Sequence, residues 1–217
     1  MSIESNKILG GVGAILLFIG VIPFRYMGVI SLVGLILILV ALYGFASIYG
    51  DRRIFNNFLY GIIAGIIGAA VAVAVALFSV LSVLTQLLYE IFPGWNGDWT
   101  ALQGMTPDTS NLETGTILSL LGGILVVLVI LYITAILGGF FTRRSFKALS
   151  EKTGIRLFST AGLIFFIGTF LTIILIGFLL IWISILLIAI AFFQIRAQPE
   201  APAAATAAVA PPAPSTG

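Results

Sequence analysis

Five residues in the stretch YGDRRIFNNFLYG carry recognition chemistry: Asp51, Arg52, Arg53, Asn56 and Asn57. A guanidinium binds a carboxylate or phosphate through paired N–H donors, and an asparagine amide adds further hydrogen bonds. Such a set suits an anionic lipid headgroup or the carboxylate of a partner. The same residues also suit a turn between two membrane spans. Arginines anchor a loop on the cytoplasmic side, and Asp51, following Gly50, caps the next helical turn. The turn is the preferred reading.

A second basic cluster lies in RRSFKALSEKTGIR, with Arg143, Arg144 and Lys147 at its head. A helix from Ser145 to Lys152 places Phe146 and Leu149 on one side, with Lys147, Glu151 and Lys152 on the others. That pattern predicts a helix lying on anionic lipid. A third feature is steric. In GIIAGIIGAAVAVAVA, Gly61, Gly65 and Ala69 recur every four residues. Small residues at this spacing let helix backbones approach closely, so this helix is expected to be the most buried. Packing within one chain is preferred over a homodimer seam.

Catalytic chemistry finds little support. The chain has no cysteine and no histidine, which removes thiol chemistry, imidazole bases and the usual zinc sets. The motifs G-x-S-x-G, H-E-x-x-H and Walker A are absent from the sequence. No charged residue falls in the central part of any apolar run. Ser31, Ser79, Ser119 and Ser184 are isolated and are expected to bond back to their own helices. The expectation is a protein that is not an enzyme, with no cofactor, no metal and no nucleic-acid partner. For a pore carrying a neutral solute, Thr134, Thr169, Thr172 and Gln86 are the candidate liners.

These residues sit on a very apolar chain. Of 217 residues, 60% are hydrophobic and 8% are charged, against about 25% charged in soluble domains. Runs longer than about 18 apolar residues mark membrane spans. The fold class expected is all-α: a polytopic transmembrane helix bundle over residues 1–196. Its spans lie near 8–22, 29–49, 58–85, 116–141, 159–175 and 178–195, with a larger outer loop over 93–115. Residues 197–217 are a Pro/Ala-rich, disordered cytoplasmic tail.

Two runs exceed one bilayer. The run 58–92 is taken as a single helix whose end leaves the hydrocarbon and projects outward. The run 159–195 is taken as a hairpin turning near Ile176–Gly177. Lys7, Arg52, Arg53, Arg143, Arg144, Lys147, Lys152, Arg156 and Arg196 then all face the cytoplasm, and Arg25 faces out. Glu90, Asp98, Asp108 and Glu113 lie in or beside the outer loop. This arrangement obeys the positive-inside rule and puts both termini in the cytoplasm of a cell-membrane protein. Trp95, Trp99 and Trp182 are expected at the outer interface. A faint parallel repeat relates Gly13–Gly28 to Gly162–Gly177.

The opening SNKILGGVGAILLFIG, the turn YGDRRIFNNFLYG and the closing STAGLIFFIGTFLTIILIGFLLIWISILLIAIAFF resemble the archaeal membrane proteins of the domain of unknown function 996 family. The likeness runs from the start to about Ile195. It implies an integral, several-span membrane protein, and carries no activity or site residues. The leading functional expectation is a non-enzymatic accessory, scaffold or assembly component. Its partners are anionic headgroups of the bilayer and either a second copy or another membrane protein. The alternative is a small channel or carrier for a neutral or lipid-like solute.

Overall fold

The computed structural model describes residues 2–20, 27–110 and 112–196. The expected turn around Pro23 and Arg25, part of the first repeat copy, and the tail 197–217 lie outside the described residues. Within them the fold is helical, and no strand occurs among the described residues. Helices α1 (Ile3–Gly20) and α2 (Met27–Ile48) come first. α3 (Arg53–Val75) continues through a π-helical turn, Ala76–Val80, into α4 (Leu81–Ile91). α5 (Thr114–Thr153), α6 (Arg156–Leu171) and α7 (Ile176–Gln194) follow. With α3 to α4 taken as one rod, six helices are long and apolar enough to cross a membrane.

The helices form a ring. α2 packs on α1, α1 on α7, α7 on α6, α6 on α5 and α5 on α3, and α3 returns to α2. Glycines allow the closest approaches. A Cβ on Gly13 would stand 2.8 Å from the carbonyl oxygen of Gly34, and one on Gly34 would stand 2.6 Å from that of Gly13. α1 and α2 therefore meet backbone to backbone. Local chemistry ends the elements. Gly50 takes φ 61° after α2, and the Asp51 N–H bonds the Ala46 carbonyl at 3.0 Å, closing a Schellman-type cap. Gly154 caps α5 in the same left-handed region at φ 73°.

The best-packed region is the end that carries the basic residues. Phe146 stacks on Phe158 at 6.0 Å, and Phe158 meets Phe192 edge-on at 5.0 Å. Phe45 stacks on Phe192 at 6.1 Å, and Phe58 meets Phe146 edge-on at 6.0 Å. Five helices thus contribute one ring each to an aromatic plug. Away from the plug the ring of helices ends unevenly. The Tyr132 hydroxyl donates to the Phe170 carbonyl at 3.0 Å, near the last turn of α6. α5 extends 18 residues further, from Tyr132 to Thr114, or about 27 Å. Among the described residues it packs there against the π turn and α4. This projecting hairpin exposes Phe78, Leu118 and Leu125.

Two expectations are corrected. The Gly61 helix is not the most buried: 11% of its spanning window is buried, against 39% for α2 and α7. Among the described residues its main partner is α5, with a smaller contact to α2. Residues 145–152 do not form a separate surface helix. No breaker follows Phe141, so α5 runs on unbroken. Phe146 and Leu149 then meet protein rather than lipid, at 1% and 0% exposure. The run 159–195 is a hairpin, as expected; it turns at Thr172–Leu175, beside Ile176–Gly177, and Leu175 takes φ 61° there. Trp182 stacks on Phe18 at 4.4 Å and donates to the Phe18 carbonyl, joining α7 to the last turn of α1.

Candidate functional site

The GDRRIFNN turn divides its residues among three tasks. Asp51 and Arg53 are structural. The Asp51 carboxylate accepts the Arg53 backbone N–H at 3.0 Å, capping α3. It also accepts Nε of Arg53 at 3.0 Å and Nη2 at 2.7 Å. Arg53 reaches on to Glu151 at 3.7 Å, and Lys152 stands 4.0 Å from Asp51. The guanidinium bond, strongest of these effects, holds the Asp51 carboxyl below the usual carboxylate range. The Ser145 hydroxyl, buried on α5, donates to the Ile54 carbonyl. The turn is therefore bolted onto the end of α5.

Arg52 and Asn56 face the other way, into a cleft with Tyr43, Ser47 and Phe55 on the α2 side. Asn57 joins a different group. With Arg53 it lines a cleft of about 500 Å³ whose other wall is Arg144, Lys147, Ala148 and Glu151 of α5. Arg144 is placed by a ring, its guanidinium carbon 4.5 Å from the Phe140 centroid. Arg143 points elsewhere, 5.4 Å over Phe166. Thus two clusters some 90 positions apart in sequence share one basic cleft, while Arg143, Arg52 and Asn56 stay outside it.

Above the aromatic plug the ring of helices lines a partly open, largely apolar chamber of about 390 Å³. All six spans contribute, among them Leu17, Leu35, Ile62, Leu131, Phe165 and Ile185. Phe58 and Phe146 belong to both the plug and the chamber wall. Thr134 and Thr169 line it as the pore reading expects, but their hydroxyls donate to Ile130 and Phe166 of their own helices. Thr172 lies in the α6–α7 turn and donates to Thr169. Gln86 sits far off in the hairpin, bonded to Glu90 and Thr116.

The small-residue stripe is used in part. A Cβ on Gly61 would lie 3.2 Å from the Gly138 carbonyl, so Gly61 is a true α3–α5 contact. Gly65 instead opens onto the chamber, with nothing within 4 Å of its Cβ position, and Ala69 is exposed. The second contact falls at Gly68, against Thr134. The expected partner of Ser184 is corrected, and the roles of Ser145 and Asn6 escaped sequence reasoning. Ser184 bonds across to the Ala161 carbonyl of α6 rather than back to α7. Ser145 is noted above. Asn6 is fully buried beside Gly44, and neither of its amide atoms has a partner among the described residues. Its polarity in an otherwise apolar stripe was the available signal.

The ring of helices, six of them long and apolar enough to cross a membrane, with the described Lys and Arg residues gathered at one end, has the composition of a multi-pass helical membrane protein. Its family follows. Residues 30–198 match the model of the family described as protein of unknown function (DUF996), and the chain belongs to that family. It is also similar to an uncharacterised protein of Methanocaldococcus jannaschii. That protein is 29% identical over 195 residues, which cover 90% of this chain and 94% of the archaeal one. No solved structure matches the chain.

Proposed function

We propose that this is a non-enzymatic cell-membrane protein that accepts a lipid-like molecule from the bilayer, with both termini in the cytoplasm. The observation that carries the reading is the chamber to which all six spans contribute. Its wall is mostly apolar: of the three threonines that line it, Thr134 and Thr169 spend their hydroxyls on their own backbones. Among the described residues a polar solute would find one free side-chain hydroxyl there, that of Thr142, whereas an acyl or isoprenoid chain loses little on entering. The plug at the basic end argues against a continuous pore. Orientation rests on Lys7, Arg53, Arg144, Arg156 and Arg196 at one end, with Asp98 and Asp108 in the loop at the other.

The test uses Gly65, which lines the chamber and has open space at its Cβ position. Gly65→Phe fills the chamber without displacing a helix. A lipid bearing a photoreactive group in its chain should crosslink to chamber residues of the wild type and not of Gly65→Phe. Equal crosslinking of both would end the reading. The accessory or scaffold function stands as a second reading, supported by the projecting hairpin, whose apolar faces extend beyond the other four helices. Copurification of a stoichiometric protein, lost when Leu118 and Leu125 become Ser, would favour it.

A further inference from the structure

We infer that the cleft between α3 and α5 at the basic end is a binding site for the phosphate of an anionic membrane lipid. The inference is independent of the chamber, which lies on the other side of the α3–α5 seam.

Charge accounting comes first. Arg53 is committed to Asp51 and Glu151. Among the described residues, no carboxylate lies within 4.0 Å of Arg144 or Lys147. These are two cations with no protein counterion, on one face of α5 and in one cleft. Glu151 on the same wall is occupied by Arg53, so it offsets that charge rather than theirs. Asn57 supplies an amide across the cleft from α3. Two cations and an amide donor converging from two helices match a phosphodiester, and Arg144 brings its planar pair of donors.

Placement comes next. Arg144 is not a free-swinging surface arginine: the exposed Phe140 ring holds its guanidinium. Tyr60, also exposed, meets Phe141 edge-on at 5.9 Å just past the cleft. Aromatic rings of this kind mark the boundary between headgroups and hydrocarbon. Beyond them α3 and α5 present only apolar side chains outward, such as Ile63, Leu137 and Ile133. A molecule with its phosphate in the cleft would therefore lay its chains along this surface. That order of cation, ring and apolar wall selects a lipid over a soluble phosphate ester.

The test is native mass spectrometry of the full chain from nanodiscs of dioleoyl phosphatidylcholine carrying a titrated fraction of dioleoyl phosphatidylglycerol. The wild type should retain one phosphatidylglycerol. Arg144→Gln with Lys147→Gln should weaken that retention roughly 30-fold, from about 1 kcal/mol for each cation removed near an anionic surface. Both side chains are exposed, so the fold should survive, and Lys147→Glu gives a second, opposite-charge check. Arg156→Gln with Arg196→Gln removes the same charge elsewhere and should leave retention unchanged. Equal loss in both double variants would overturn the site, since only net charge would then matter. Displacement of the lipid by millimolar glycerol phosphate would overturn the lipid assignment, because the cleft would then read phosphate alone.

Discussion

The Arg53 guanidinium lies along the Asp51 carboxylate, Nη2 to Oδ2 at 2.7 Å and Nε to Oδ1 at 3.0 Å, while the same carboxylate caps the backbone of α3. One acidic group thus sets the start of a helix and, through Arg53 and Lys152, its attachment to α5. Asp51→Ala should lower stability by about 1–2 kcal/mol, the usual cost of a lost cap. The pH dependence has a definite sign. The folded carboxyl is held below its ordinary value. Its contribution is therefore full above the unfolded value of about 3.9 and is lost as pH falls through the lower folded value. Melting temperature in detergent should drop below about pH 4 in the wild type, and Asp51→Asn should flatten that slope. A wild-type slope that persists in Asp51→Asn would assign the acid sensitivity to other carboxylates.

Glycine substitutions should separate contact from spacing. Gly68 sits against Thr134, so Gly68→Val must push α3 from α5, and overpacking of this kind costs about 1–3 kcal/mol. Gly65 has open space, and Gly65→Ala should change stability by less than about 0.5 kcal/mol. Thermal melts of the two variants in one detergent decide the matter. Equal losses would mean that the regular four-residue stripe, not Gly61 with Gly68, forms the α3–α5 seam.

Leu175 offers a gain. It holds φ 61° in the α6–α7 turn, where its Cβ crowds the backbone, and its side chain is exposed. Leu175→Gly should relieve about 1 kcal/mol of that strain and raise the melting temperature. A lower melting temperature would show that the leucine side chain contributes more through its surroundings than its backbone costs.

Much of this architecture was legible because membrane spans are written in local signals. Run length and Lys/Arg placement identified six spans, and the choice between one rod and one hairpin followed from charge alone. What escaped depended on contacts far apart in sequence. The sequence shows a helix over 145–152 but not that it continues α5, because its basic residues read as a lipid-facing face until Phe146 is seen against Phe58 and Phe158. The bond from Ser145 to Ile54 spans 91 positions. The basic cleft was half legible. Arg53, Asn57, Arg144 and Lys147 were each singled out, but only the antiparallel packing of α3 on α5 joins them and separates Arg52 and Arg143. The chamber had no sequence signal beyond two threonines, because a cavity is defined by where side chains are not.

Sidedness is the remaining expectation, and the projecting hairpin makes it testable. Asp108 lies in the loop after α4, where its carboxylate accepts from Ser110 and its backbone N–H donates to Ile91, so it sits at the far end of the hairpin. Lys152 lies at the opposite end of α5, some 40 residues away along a rod about 60 Å long. The chain contains no native cysteine, so single Asp108→Cys and Lys152→Cys variants each carry one thiol. In intact cells a membrane-impermeant maleimide should label Asp108→Cys and spare Lys152→Cys until the membrane is broken. The basic residues at the Lys152 end predict this direction, because translocating them is costly. Labelling of Lys152→Cys from outside would invert the protein. It would also move the Arg144 and Lys147 cleft to the outer leaflet, so the same experiment fixes which leaflet supplies its lipid.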